Sequence, residues 1–128
     1  MLKIKSIEET SSPEDGLRIL ATRYRGRGLP KSKYDVWMAN LGPSEALLGK
    51  HETMTWRDWS RCYRDEMLGE AGNEKQNPLI RNAGQKFTLR LIKHLAQQQN
   101  VTLLCHCAAD AKHCHRFLLR DLIKSSRV

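Results

Sequence analysis

The spacing of apolar positions changes along the chain, and each change predicts an element. Leu2 to Ile7 alternates apolar and polar residues, which predicts an edge strand. Thr10 to Gly16 is turn-like, with Pro13 and Gly16 as breaks. Leu17 to Thr22 reads as a short buried strand, and Arg23 to Lys33 as a loop. Tyr34 to Leu41 predicts a short helix that turns Val36 or Trp37 toward the core, stopped at Pro43-Ser44. Ser44 then caps a second short helix carrying Leu47 and Leu48. The clearest helical spacing runs from Thr55 to Gly69, where Trp56, Trp59, Tyr63 and Met67 recur at intervals of three and four. Thr55 and Asp58 approximate a capping box there, and Gly69 suits a C-cap. Glu70 to Pro78 reads as a polar surface loop. Leu79 to Gln99 reads as a longer helix in which Phe87, Leu91 and Leu95 share a face. Val101 to Cys107 predicts a second buried strand, and Arg116 to Ile123 returns to helical periodicity.

The order strand, helices, strand, helix predicts an α/β fold, a single domain over residues 1–128 with a small, mainly parallel sheet flanked by helices. In such sheets ligands bind beyond the C-terminal ends of the strands. The basic loop follows one core strand and a Cys/His-rich segment follows the other. Parallel strands in one sheet would bring both loops to the same edge, and this is the structural argument for a site.

With 128 residues, 40% of them hydrophobic and 28% charged, the chain can build a core without a disulfide scaffold. No apolar run reaches the roughly 18 residues of a membrane span. The first residues lack the long apolar stretch of a secretion signal. The expected setting is therefore cytoplasmic, with reduced thiols and no membrane partner. Lys and Arg exceed Asp and Glu by 22 to 14, a net charge of +8 that suits acidic partners such as a phosphate-bearing small molecule or nucleic acid.

Six of the nine Cys and His residues lie between positions 105 and 115. Alternation along a strand puts Cys105 and Cys107 on one face and His106 on the other. Ala108 to Lys112 turns the chain, and Cys114 to Arg116 falls in the first turn of the last helix. Free amides and the positive dipole end at that position lower a thiol's pKa and attract anions. Three readings remain open. Cys105, Cys107, Cys114 and His113 could ligate zinc or iron, although Cys-x-Cys departs from the usual structural spacing. Cys114 or Cys107 could be a reactive thiolate with His115 or His113 as base. The cysteines could also be small buried core residues. Counted from Cys107, the spacing does not match the Cys-x5-Arg phosphate loop, because the next arginine lies nine positions on.

Within Arg23 to Lys33 the run Arg23, Arg25, Gly26, Arg27, Gly28 combines permissive backbone with bidentate donors, a pattern suited to phosphate and equally to a solvated basic loop. Lys31 and Lys33 read as solvent-facing. Trp37, Trp56, Trp59 and Tyr63 read as core packing, with base stacking as the alternative. His51, in a Gly-Lys-His-Glu stretch, reads as a surface residue by itself.

Arg23-x-x-x-Arg27-Gly28-Leu29 after an apolar strand, then Trp37, Leu41-x-Pro43-Ser44, Leu47, His51, Trp56, Trp59, Tyr63-x-x-Glu66, Leu103-Leu104-Cys105 and Cys114-His115-Arg116 form an ordered set. From about Leu17 to Ile123 this set resembles the domain-of-unknown-function-488 family, in particular its YeaO-like proteins. The resemblance implies a compact α/β fold in a soluble bacterial or archaeal protein and supplies no reaction. It raises the standing of Arg23, Arg27, His51, Cys105, Cys114, His115 and Arg116. Departures from the family pattern are Thr22 and Cys107, where acidic residues are frequent, and Gly26, where proline is frequent. A third thiol at Cys107 favours metal or redox chemistry over a catalytic carboxylate.

The sequence thus leads to a pocket at the sheet's C-terminal edge. Arg23, Arg25, Arg27, His51 and Arg116 would bind an anionic ligand, and Cys114, His115 and Cys107 would supply thiol- or metal-dependent chemistry. The alternatives are a nucleic-acid-binding module without chemistry and a metal or redox sensor.

Overall fold

A computed structural model describes residues 1–69 and 85–128. Four strands form one all-parallel sheet: β1 (Leu2–Ser6), β2 (Leu17–Leu20), β3 (Val36–Trp37) and β4 (Val101–Cys105). Their spatial order is β1-β4-β2-β3. Four α-helices accompany them among the described residues: α1 (Glu45–Leu48), α2 (Trp56–Leu68), α3 (Lys86–Gln98) and α4 (His115–Lys124). The fold is thus the expected α/β domain with a parallel sheet. None of these helices is long and apolar enough to cross a membrane.

Alternation decides which sheet face carries the core. Leu2, Ile4, Ile19, Val101 and Leu103 join one apolar cluster with Trp59, Tyr63 and Met67 of α2, Leu89 and Ile92 of α3, and Leu119 and Ile123 of α4. Each fully buried side chain of this size stabilises the fold by about 1.5–3 kcal/mol. On the opposite face, Thr102 donates to the Asp15 carbonyl at 2.7 Å and Lys5 pairs with the Asp15 carboxylate at 3.1 Å. A 3-10 turn, Pro13–Asp15, therefore covers that face, and Ser12 and Asp15 close it with a reciprocal capping box. Gly16 follows at φ 63°, and a Cβ there would stand 2.0 Å from the Asn100 carbonyl oxygen. That close approach requires glycine.

β4 is inserted between β1 and β2, so it is buried throughout. β1 is an edge strand, as its alternation predicts. Because all strands run parallel, the segments after β2 and β4 leave neighbouring strands at the same edge.

The region 34–41 differs from the sequence expectation. It forms β3 and a 3-10 turn, Ala39–Leu41, in place of a helix. Val36 and Trp37 are exposed, and Leu41 is the residue that enters the core. The unpaired edge of β2 explains this. The Asp35 amide donates to the Arg18 carbonyl and the Met38 amide to the Leu20 carbonyl, each at 2.9 Å. Those bonds extend the sheet, and a β-branched residue beside an aromatic suits it. Trp37 lies along the rim and donates its indole N–H to the Thr22 carbonyl at 2.8 Å.

Other elements follow the pattern with adjusted ends, except that α3 buries Leu89 and Ile92 and leaves Phe87 and Leu91 of the expected apolar face exposed. Ser44 caps α1 and Thr55 caps α2, each accepting a backbone N–H, and Gly69 ends α2 at φ 81°. β2 stops at Leu20 and β4 at Cys105, two residues short in each case. α3 is described from Lys86, and the part of the expected helix over 79–84 lies outside the described residues, as does the loop expected over 70–78. Lys31 is exposed and Lys33 half-buried.

Candidate functional site

The C-terminal edge of the sheet gathers the cysteine-rich segment. β4 ends in Cys105, the chain bends over Cys107 to His113, and Cys114 is the N-cap of α4. Alternation past the strand end sends Cys105 and Cys107 to the same side. The sulfurs of Cys105, Cys107 and Cys114 all lie within 4.8 Å of one another. Cys105 and Cys114 are 3.3 Å apart and buried, whereas Cys107 is half-buried. All are free thiols.

Arg116, in the first turn of α4, is buried beside them. Its guanidinium donates to Cys105 Sγ at 3.0 Å and to the carbonyls of Cys107, Ala108 and Ala109 at 3.1–3.3 Å. One side chain therefore fixes the path of the loop and places a positive charge against the sulfurs. The S–H groups of Cys105 and Cys114 hold the Cys107 thiol far below its ordinary range, at about 3, against the cost of burial and with Arg116 assisting. Cys114 is pushed up by the same thiol contacts and by burial. The two shifts belong to one cluster: it carries a negative charge at the accessible sulfur, and a neighbouring thiol keeps its proton. Arg116, hydrogen-bonded to Cys105, keeps its positive charge close enough to favour that ionised sulfur.

His115 packs behind the trio, with its Nε2 2.6 Å from the Ala21 carbonyl and its Nδ1 3.9 Å from Cys114 Sγ. A carbonyl only accepts, so Nε2 carries the proton and Nδ1 faces the thiol as an acceptor. Burial lowers the imidazole pKa, with the Ala21 contact and Cys105 opposing and Arg116 and His106 adding to the fall. His115 is therefore a neutral acceptor locked in one tautomer.

The loop after β2 meets this edge through His106, whose Nε2 lies 3.2 Å from the Tyr24 carbonyl. Gly26 has φ 92°, and a Cβ there would stand 2.9 Å from the His106 ring. The two loops thus converge, as the parallel topology requires. The arginines divide by role. Arg23 donates to the carbonyls of Gly42 and Pro43 at 3.0 and 2.9 Å and ties the loop to the start of α1. Arg25 donates to the Tyr34 hydroxyl and the Leu29 carbonyl, each at 2.5 Å, and lies over the Tyr34 ring. Arg27 is exposed.

Rings link the trio to the surface. His113, Trp56, Trp59 and Tyr63 stack in sequence at centroid distances of 4.7, 5.3 and 5.8 Å, and His115 meets Tyr63 edge-on at 5.7 Å. His51 stands edge-on to both Trp56 and Trp59. Trp56 thus has one face against Trp59 and the other against His113. Trp59 and Tyr63 are buried and donate to the Leu47 and Leu41 carbonyls.

Among the described residues the group able to hold a metal ion comprises Cys105, Cys107 and Cys114. Three thiolates suit a thiophilic ion with an open position. His113 stacks on Trp56 and is not in that group. Sequence reasoning missed the part played by Glu66, whose carboxylate accepts from the Ser44 amide at 2.9 Å and from the Ser44 hydroxyl. It also missed the carbonyls of Ala108 and Ala109, because backbone acceptors leave no residue-type signal.

Residues 2–127 match the family described as the active DUF488-N3 subclade, DUF488-N3a. The chain belongs to the DUF488 family. Comparison of this DUF488 protein with curated proteins and with solved structures returned no match. The match spans the thiol trio, Arg116 and the basic loop together, so the convergent edge falls wholly within the DUF488 unit.

Proposed function

We propose that this DUF488 protein is a thiol-dependent enzyme acting on an anionic, phosphate-bearing ligand, with Cys107 as its nucleophile. The observation that carries this reading is the half-buried Cys107 sulfur among two buried thiols and the Arg116 guanidinium. Such a sulfur is anionic and reachable, the two properties a nucleophilic cysteine needs. Cys114 and Cys105 act as S–H donors to it, and the His115 ring packs behind Cys114, with Nδ1 3.9 Å from its Sγ. Exposed Arg27 and Lys112 offer charge to an incoming phosphate. Arg23 and Arg25 support the loop that carries Arg27. The description of the matching subclade as active agrees with chemistry at this site. The reaction class is attack by sulfur on an electrophilic centre, followed by hydrolysis or transfer. A cytoplasmic setting, where thiols stay reduced, suits four free cysteines.

The test is alkylation by iodoacetamide at pH 6, with peptide mapping, in the presence and absence of a panel of nucleoside mono- and diphosphates. Cys107 is expected to label ahead of Cys105 and Cys114, and a bound phosphate ligand is expected to slow that labelling. Labelling of Cys107 no faster than that of the two buried thiols removes the nucleophile. The 4.8 Å grouping also favours a second reading, a zinc or iron centre on the same three sulfurs. Anaerobic purification with metal analysis separates the two, since a stoichiometric ion would protect all three thiols together.

A further inference from the structure

The three sulfurs differ in access although they lie together. Cys105 and Cys114 are 0% and 1% exposed, and Cys107 is half-buried at the mouth. A small oxidant from solvent therefore meets Cys107 first. Behind it stand two thiols within 4.8 Å. Cys105 lies two residues away on the same chain segment, and its sulfur is held by the Arg116 guanidinium at 3.0 Å. Cys114 lies across the loop of residues 108–113, in which Ala108, Ala109, Asp110, Lys112 and His113 are exposed. Closing two sulfurs that lie within 4.8 Å to about 2.05 Å draws the two ends of that loop together.

We propose that Cys107 is an oxidation site for hydroperoxides and that Cys114 is its resolving partner, so that a reversible Cys107–Cys114 disulfide switches the site off. The inference rests on the reading of Cys107 as the reachable nucleophilic sulfur of the trio, and it adds regulation to that site. In the first step the Cys107 sulfur attacks the outer oxygen of the hydroperoxide. The O–O bond breaks, and the alkoxide or hydroxide leaves and takes a proton from water. The sulfur is oxidised to sulfenic acid, and the peroxide is reduced to an alcohol or water. In the second step Cys114 Sγ attacks the Cys107 sulfur. The S–S bond forms, the S–O bond breaks, and hydroxide leaves. The Cys114 proton passes to His115 Nδ1, 3.9 Å away, and on to that hydroxide as water. Counting the proton that Cys107 gives up to water on ionising, which neutralises the hydroxide left by the first step, the sum is two thiols and one hydroperoxide giving a disulfide, an alcohol or water, and one further water. A cellular dithiol would reverse it by exchange.

The disulfide removes the nucleophile and pulls on the loop that Arg116 holds through the carbonyls of residues 107, 108 and 109. The experiment treats the reduced full-length chain with stoichiometric hydrogen peroxide, quenches it in acid to stop exchange, alkylates free thiols, and maps peptides without reduction. The expected result is a Cys107–Cys114 bond, an intact mass lower by two hydrogen atoms, and free Cys62 and Cys105. Peroxide consumption is expected to fall about tenfold in Cys107→Ser, and Cys114→Ser is expected to hold a dimedone-reactive sulfenic acid at Cys107. A mapped bond that lacks Cys107, or sulfinic acid at Cys107 without a bond, overturns the proposal. Wild-type mapping alone decides this if a variant fails to fold. Rapid alkylation of Cys107 with no disulfide after peroxide sinks the switch and leaves the nucleophile standing. Inertness of Cys107 to both reagents sinks both.

Discussion

The pH dependence of Cys107 alkylation follows from the trio in a quantitative way. With the thiol held at about 3, the sulfur is fully ionised at every pH from 5 to 9. An ordinary peptide thiol near pKa 8.5 is only about 0.3% ionised at pH 6, roughly 300-fold less. A weaker base is also a weaker nucleophile, and a Brønsted slope of about 0.4–0.5 over about 5.5 pKa units lowers intrinsic reactivity by about 150- to 600-fold. The two factors nearly cancel at pH 6, so Cys107 reacts there at about the rate of the peptide. At pH 8.5 it is about 80- to 300-fold slower than the peptide. The signature is therefore a flat profile, not a fast one. Cys114→Ala removes one S–H donor to the charged sulfur, worth about 1.5–3 kcal/mol or about one to two pKa units, and moves the titration upward by that amount. The assay is iodoacetamide labelling from pH 3 to 9, followed by peptide mass spectrometry. A Cys107 rate that climbs tenfold per pH unit between 6 and 8 would refute the charge arrangement drawn from the sulfur contacts and Arg116.

Three further outcomes are expected. Arg116→Met leaves three loop carbonyls and the Cys105 sulfur without their donor, so chemical denaturation should show a loss of about 3 kcal/mol; an unchanged midpoint would mean that water replaces the guanidinium. Gly42→Ala puts a Cβ 2.2 Å from the Arg23 backbone nitrogen, and calorimetry should show destabilisation of about 1–3 kcal/mol with displacement of the basic loop. Asp15 is buried; Ser12 and Lys5 lower its pKa against the cost of desolvation. Its contribution is therefore present above the unfolded value near 3.8 and lost as pH falls through the folded value, and Asp15→Asn should flatten the acid limb of the stability curve.

Sequence pattern revealed most of the fold because the helices and central strands depend on local signals. The spacing of Trp56, Trp59, Tyr63 and Met67 sets the buried face of α2, and Ser44, Thr55 and Gly69 mark helix ends through their own backbone bonds. Residues 34–41 were misread because their conformation depends on a non-local partner, the free edge of β2. In the site, alternation placed Cys105 and Cys107 together, and parallel topology brought in the basic loop. The split among the arginines was not legible. Arg23, Arg25 and Arg27 look alike in sequence, and only tertiary carbonyls distinguish the two that are tied down from the one that is exposed. His113 shows the same limit: its position suggested a ligand, and its ring lies on Trp56.

That stack gives the protein a built-in optical reporter. Trp56 and Trp59 lie nearly parallel, 13° apart at 5.3 Å, so their transitions couple and yield an exciton feature in near-ultraviolet circular dichroism. His113 covers the outer face of Trp56 and rides on the loop that ends at Cys114. Any event that draws the loop away uncovers that indole to water, shifting its emission to longer wavelength, while buried Trp59 keeps its own. Trp37, already exposed on the sheet rim, provides a constant background. Loop displacement at the thiol edge can thus be followed in real time without a dye, by light alone.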